Sequence, residues 1–424
     1  MNEGVIQAFG ALTREQVAKS PQRANRLLRS AYHLVGAQSH FFPSKHHLPA
    51  REYLLAESSR NVARSLNPNT VAGIVNIFLP CEILHAMGVH PTFPEGMAVY
   101  FTAAECERAF VSYAENNGVP DSFCSYHKVL IGAVESGVIP KPRFIAHTTL
   151  ACDANQLTFR RLQQYYNVPR FCVDVPFRMD EESTTYVANQ LREMEEFVAK
   201  HTGFSPNQDN LRDAIMRSKD TIDNYRQYLA IRAEKSIPSD MTGEMLPLFG
   251  MHVLLGSETA FTYTRTLLQD INVRPPSTDN KKRIVWMHTL PHWQSGLSKI
   301  LLDSDVELLC CDLSVSGLVE LDPEKPYESM ARRIIHNSMN GPAIHRIENM
   351  LNFATQLRAD GVVYFNHWGC KGTLGASQIA KERFEACGFP TLVLNGDGCD
   401  SGNVSNGQMA TRLQAFLEQL EVHK

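Results

Sequence analysis

The chain has 424 residues, 43% hydrophobic and 20% charged, the balance of an ordinary globular protein with two or three packed units. Its 41 Lys plus Arg against 45 Asp plus Glu leave a net charge of −4, which gives no electrostatic footing for nucleic acid or a membrane surface. The longest apolar runs, such as residues 71–80, are strand-sized, and the N-terminus (MNEGVIQAFGALTREQVAKS) carries acids and no small-residue cleavage site, so a cytoplasmic protein is expected.

Residues 14–33 and 49–66 show apolar positions at three-and-four spacing and are predicted as helices. From residue 71 the rhythm changes. Residues 71–79, 90–93, 143–148 and 170–175 read as strands, with helices at 82–87, 103–115 and 156–166. Residues 181–275 carry almost no strand signal, and helices are predicted over 182–200, 207–233 and 245–269. The stretch Arg274-Pro275-Pro276-Ser277-Thr278-Asp279-Asn280 has a linker's composition. Beyond it strands are predicted at 283–287, 307–313, 361–366 and 391–394, with helices at 328–359 and 377–386. Strands alternating with helices argue for parallel, doubly wound sheets. The expected fold class is α/β, with a helical segment over 1–70, a first α/β domain with helical connector over 71–275, and a second α/β domain over 276–424. No internal repeat at fixed period is visible.

Ten cysteines in a cytoplasmic chain are not read as disulfides. Cys172, Cys310 and Cys311 fall inside strands, and Cys106 and Cys387 are expected to pack from helices. Cys81 follows Pro80 at a strand end and is a reserve ligand; no role is assigned to Cys399. Cys152 closes FIAHTTLAC before a helix, Cys370 closes VVYFNHWGC before a helix, and Cys124 starts a short one. In open α/β sheets ligands collect at the carboxyl ends of strands, and a thiolate at a helix N-terminus gains from the free N–H groups. Three thiolates from separate loops suit an iron–sulfur cluster with one iron left open, or a zinc site with a water. Spacing alone does not choose these three among ten. No CxxC, GxxxxGK[ST], clean GxGxxG, HExxH or GxSxG is present, so any ATP use belongs to a partner.

LPCEILHAMGVHPTFPE, CSYHKVLIGAVESGVIPKPRFIAHTTLACDA and NHWGCKGTLGASQIAKERFEACGFPTLVLNGDGCD, with TRLQAFLE after them, resemble the 2-hydroxyacyl-CoA dehydratase and benzoyl-CoA reductase family. The resemblance runs from about residue 70 to the C-terminus. It implies two flavodoxin-like (Rossmann-like) domains with a 4Fe–4S cluster between them on Cys124, Cys152 and Cys370. It also implies an acyl-CoA substrate, an ATP-dependent activator iron–sulfur protein that delivers one electron for radical dehydration, and a second homologous subunit or a homodimer. Glu95 of FPEG matches a carboxylate that moves protons, and His127, His367 and Trp368 are candidates for the pocket wall. The strand end Asn76-Ile77-Phe78 departs from catalytic members, which often carry a small hydroxyl residue there. Within the resemblance, the leading expectation is a lyase on an (R)-2-hydroxyacyl-CoA. The alternatives are a reductase of an aromatic acyl-CoA or another small unsaturated molecule, and a subunit whose cluster only relays electrons.

Overall fold

The computed structural model describes residues 3–277, 281–293, 295–303, 305–403 and 406–422. Among them eight strands form two four-stranded sheets in which every pairing is parallel. The first holds β1 (Ala72–Val75), β2 (His90–Thr92), β3 (Phe144–Thr148) and β4 (Arg170–Val173). The second holds β5 (Lys282–Met287), β6 (Val306–Cys311), β7 (Gly361–His367) and β8 (Thr391–Gly396). Their orders are β2-β1-β3-β4 and β6-β5-β7-β8, the same flavodoxin-like order twice. The duplication is one of topology, since the sequence carries no matching period. β1 and β3, like β5 and β7, are almost wholly buried, as strands covered on both faces by crossover helices must be.

Where the helices differ from expectation, backbone chemistry explains it. The 14–33 helix is two, Glu3–Lys19 and Pro21–Phe41, because Pro21 has no N–H to continue the first and instead opens the second. The 103–115 helix is preceded by Pro94–Ala103, and the chain breaks at Glu105, whose φ of +52° lies in the left-handed region, before Glu107–Asn116. Residues 328–359 split at Gly341-Pro342 into Pro326–Ile335 and Ala343–Gln356. The 245–269 helix is a short Met241–Met245 helix, a π-helical turn at Phe249–Val253, and Glu258–Asn272, which Ser257 caps by accepting the Ala260 N–H. The strand read over 71–79 stops at Val75, since the Asn76 side chain bonds to Thr148 and to the Leu150 carbonyl instead. The described half of the 274–280 linker is pinned, with Ser277 N–H donating to the Glu234 carbonyl at 2.7 Å; residues 278–280 lie outside the described residues.

Buried polar clamps join the two halves through the helices between them. The Arg333 Nη2 donates to both oxygens of Glu82, at 2.7 and 2.8 Å, and the Ser218 hydroxyl donates to the same carboxylate. His252, in the π-helical turn, donates Nε2–H to the Leu313 carbonyl just after β6, while His85 donates to the Val253 carbonyl. Among the described residues no helix is long and apolar enough to cross a membrane.

Candidate active site

The order of each sheet reverses direction between its two central strands, and their carboxyl ends are where an open α/β sheet offers a crevice. Asn76 to Phe78 follow β1, and Thr149 to Cys152 follow β3. In the second sheet His288 follows β5, and Trp368 to Cys370 follow β7. These ends meet around one cavity of about 190 Å³, ample for a group far larger than a water.

Cys124, Cys152 and Cys370 all line it. Each is the N-cap residue of a helix: Ser125–Glu135, Asp153–Tyr166 and Lys371–Ala386 respectively. Three helix N-termini therefore present free N–H groups and positive dipole ends toward the same space, an arrangement suited to anionic sulfur. Cys124 is buried, Cys370 half-buried, and Cys152 the most open. Burial pushes the Cys124 thiol well up, with the neighbouring Cys370 and Cys152 adding to the effect. Burial also raises Cys152, to about 11, although the residue stands at the cavity's rim. Among the described residues no three Cys, His, Asp or Glu side chains are grouped to hold a single metal ion; the three thiols stand around a space.

The approach of Cys370 to Cys124 depends on Gly369. Its φ is +79°, and a Cβ there would sit 2.8 Å from the Cys124 backbone. His367, the last residue of β7, accepts the Gly398 N–H on Nδ1 at 3.0 Å. Its proton is therefore on Nε2, which stands 3.4 Å from the Cys124 sulfur as a donor. The loop after β8 secures this corner: Asp397 accepts the Ser125 hydroxyl at 2.5 Å and the Cys399 and Asp400 N–H groups at 2.8 Å. Tyr126 donates to the Gly398 carbonyl from the other side.

Glu95 lies in the first turn of the Pro94–Ala103 helix, with its Oε2 closed to solvent and without a partner among the described residues. Burial lifts its carboxyl to about 8, its own backbone, the Ile77 backbone and the Asn155 side chain only partly offsetting this, so at neutral pH it carries a proton. His127 also lines the cavity; burial holds it down to about 4, neutral, and its Nδ1 has no partner. Asn155 Oδ1 and Thr289 Oγ1 are unpartnered on the same wall. Several buried polar atoms without partners around one space mark a cavity built to receive a polar group. The wall also includes His288 and Arg346, and its apolar part is led by Phe78, Phe93, Leu248 and Phe249. The π-helical turn begins at Phe249, whose ring packs edge-on against Phe93.

Of the residues singled out in the sequence, Cys124, Cys152, Cys370, Glu95, His127 and His367 are brought together. Trp368 is not: it lies in the turn after β7, with its side chain exposed at the surface, and is not part of the cavity wall. Cys172 is half-buried, not core, since β4 is an edge strand; its sulfur lies 3.9 Å from His147 Nδ1. Cys387, expected to pack, is exposed at the end of its helix. Cys81 is buried, its thiol donating to the Leu79 carbonyl at 3.4 Å, and Cys399 is buried against Thr102. Sequence reading missed His288, Arg346, Asn155 and Thr289. The strand-end rule that selected Cys370 would also have selected His288 and Thr289; nothing local marks Arg346.

Three curated relatives are similar over most of their length. They are the (R)-2-hydroxyisocaproyl-CoA dehydratase alpha subunit of Clostridioides difficile (20% identical, 88% of this chain and 95% of the relative), the (R)-phenyllactyl-CoA dehydratase alpha subunit of Clostridium sporogenes (21%, 81% and 88%), and the lactoyl-CoA dehydratase subunit alpha of Anaerotignum propionicum (20%, 81% and 89%). The family model described as "2-hydroxyglutaryl-CoA dehydratase, D-component" matches residues 76–420, a span that takes in seven of the eight strands, all but β1, and every cysteine at the cavity, and the chain belongs to that dehydratase family.

Proposed function

We propose that this chain is a 4Fe–4S-bearing subunit of an enzyme that dehydrates an (R)-2-hydroxyacyl-CoA to the 2-enoyl-CoA, with Cys124, Cys152 and Cys370 as the cluster thiolates. The observation that carries this is the meeting of three helix-capping cysteines and the buried, partly unpartnered carboxyl of Glu95 at one cavity. Thiols standing around a space suit a group that holds them apart, and three thiolates leave one iron of a four-iron cluster open. When bound, such a cluster supplies a Lewis-acidic iron and one-electron chemistry. The protein's own part follows from its residues. The apolar wall of Phe78, Phe93 and Phe249 excludes water and takes the hydrocarbon part of the acyl group. Glu95 can give its proton to the departing α-hydroxyl, which then leaves as water, and the carboxylate so formed can take up the β-proton, which restores the acid. His127 and Asn155 offer polar atoms to orient the acyl group.

The names of the relatives support an acyl-CoA substrate and, as alpha subunits, a partner subunit; one-electron reduction by a separate ATP-hydrolysing activator, under anaerobic conditions in the cytoplasm, completes the reading. One observation favours the relay alternative. The β1 end turns Ile77 and Phe78 to the cavity, so no hydroxyl group stands at that point of the wall.

The test is anaerobic purification, with any co-purifying subunit, followed by iron, sulfide and zinc analysis and titration with the three thioesters named by the relatives. Iron and sulfide in equal amounts, lost in Cys124→Ala, Cys152→Ala and Cys370→Ala but kept in Cys310→Ala, support the cluster assignment. A spectral response to a thioester supports the lyase over the relay. Iron surviving all three changes, or zinc in its place, overturns the assignment.

A further inference from the structure

Arg346 is, among the described residues, the only lysine or arginine on the cavity wall. It rises from the first turn of the Ala343–Gln356 helix and donates Nε–H to Asp312 Oδ2 at 2.6 Å. Asp312 is almost wholly buried, and its other oxygen accepts the His288 N–H at 2.7 Å. That bond secures His288 at the end of β5 with φ +76°, a conformation that costs a side-chain-bearing residue energy and is kept where the surroundings over-determine it. Arg346 Nη2 leans on His288 Nδ1 at 3.5 Å, and since a guanidinium only donates, the His288 proton is placed on Nε2.

Nη1 makes no hydrogen bond within the described chain. Arg333, which donates through Nη2 alone, does not line the cavity, and two other buried arginines differ. Arg232 uses Nη1 on Glu244 and Tyr228 and Nη2 on the Leu308 carbonyl. Arg283 uses Nη1 on Glu307 and Ser277 and Nη2 on the Arg232 and Leu357 carbonyls. Those two are structural and occupied on both arms. Arg346 is anchored through Nε on Asp312 and, at longer range, through Nη2 on His288, which fixes the guanidinium plane and leaves Nη1 for a ligand.

We infer that Arg346 recognises the substrate, its Nη1 donating to an oxygen of the bound acyl group, either the thioester carbonyl or the α-hydroxyl. The inference rests on the dehydratase reading. Asp312 and His288 are positioning residues: the first fixes the guanidinium, the second flanks it. A permanently charged donor on a largely apolar wall recognises an oxygen strongly, because the low local dielectric strengthens the bond.

The experiment is equilibrium binding of (R)-2-hydroxyisocaproyl-CoA, isocaproyl-CoA and free CoA to the anaerobically purified full chain with any co-purifying subunit. Wild type is compared with Arg346→Lys, Arg346→Gln and the double variant Asp312→Asn/Arg346→Gln, in which no buried carboxylate is left unpaired. The expected result is thioester binding weakened about tenfold to a hundredfold in Arg346→Gln and in the double variant, with a smaller loss in Arg346→Lys. Iron content, the cluster spectrum and free CoA binding should not change. Loss for both thioesters assigns the carbonyl, and loss for the hydroxylated one alone assigns the hydroxyl. Unchanged thioester binding in the double variant, or iron lost along with binding, overturns the inference while the dehydratase reading stands. A wild-type chain that binds none of the thioesters overturns both.

Discussion

Gly369 and Cys124 touch backbone to backbone: a methyl group on Gly369 would sit 2.8 Å from both the N and the Cα of Cys124, one residue before Cys370. The contact sets how the second sheet's cysteine approaches the first sheet's. Gly369→Ala adds an unavoidable clash to a positive φ and is expected to cost about 1–3 kcal/mol and to lower iron occupancy. Gly375→Ala, four residues into a helix with open space around it, is the control and should be neutral or stabilising by up to about 1 kcal/mol. Thermal melts with iron analysis on the same samples separate the two. Equal iron and equal melting temperature in Gly369→Ala would show that the approach is not constrained as described.

The alternation of β-branched runs with helical stretches was enough to expect two parallel sheets, because a parallel strand needs a long crossover to its neighbour and the sequence shows those crossovers. Sheet order was not legible, since which strands pair is decided by packing between elements far apart in the chain. The cysteines stood out through their place at helix starts together with the family resemblance. Arg346 did not, because on its helix it is one polar residue among many, and only Asp312, 34 positions earlier, turns it inward. Trp368 failed for the opposite reason: nearness in sequence to Cys370 was read as nearness in space, but the chain leaves β7 at His367 and the turn that follows leaves the Trp368 side chain exposed.

Glu95 gives a prediction about chemistry apart from assembly. Its Oε2 has no partner among the described residues, and Glu95→Gln keeps the shape while removing the transferable proton. Iron and sulfide content should be unchanged, and turnover with activator and reductant should fall by roughly a hundredfold or more. Rapid-quench assay at saturating thioester measures this directly. Unchanged turnover would remove Glu95 from the proton path and strengthen the relay reading.

The clamp of Glu82 on Arg333 joins the helix after β1 to the Pro326–Ile335 helix of the second half, and both side chains are almost fully buried. Removing one partner leaves a buried charge alone, so Arg333→Met should destabilise the chain by about 3–5 kcal/mol. Glu82→Met with Arg333→Met removes both charges and should recover most of that loss. Urea unfolding of the single and double variants measures the difference. A double variant as unstable as the single would mean that the ion pair is not what the site requires.

His252 sets a pH dependence on stability. Burial of the ring, which packs edge-on against Phe78, holds its pKa down to about 4, below the ordinary 6.5; the bond to the Leu313 carbonyl only partly offsets this, and the Arg333 charge adds to the lowering. A folded-state pKa below the unfolded one means that the unfolded chain binds the proton more readily. The stability His252 contributes is therefore complete above pH 6.5 and is lost as the pH falls from there toward 4. At about 1.4 kcal/mol per unit, the loss approaches about 3 kcal/mol for this one residue. His90, held near 3 by burial, adds a further loss that continues to lower pH. His252→Gln keeps a donor for the Leu313 carbonyl and cannot take up a proton. It should be somewhat less stable than wild type at pH 7.5 and show a shallower decline between pH 6.5 and 4. Urea midpoints taken across that range on anaerobic protein make the comparison. Parallel curves for the two proteins would mean that His252 is already protonated in the folded chain, or that its site opens before the ring takes up its charge.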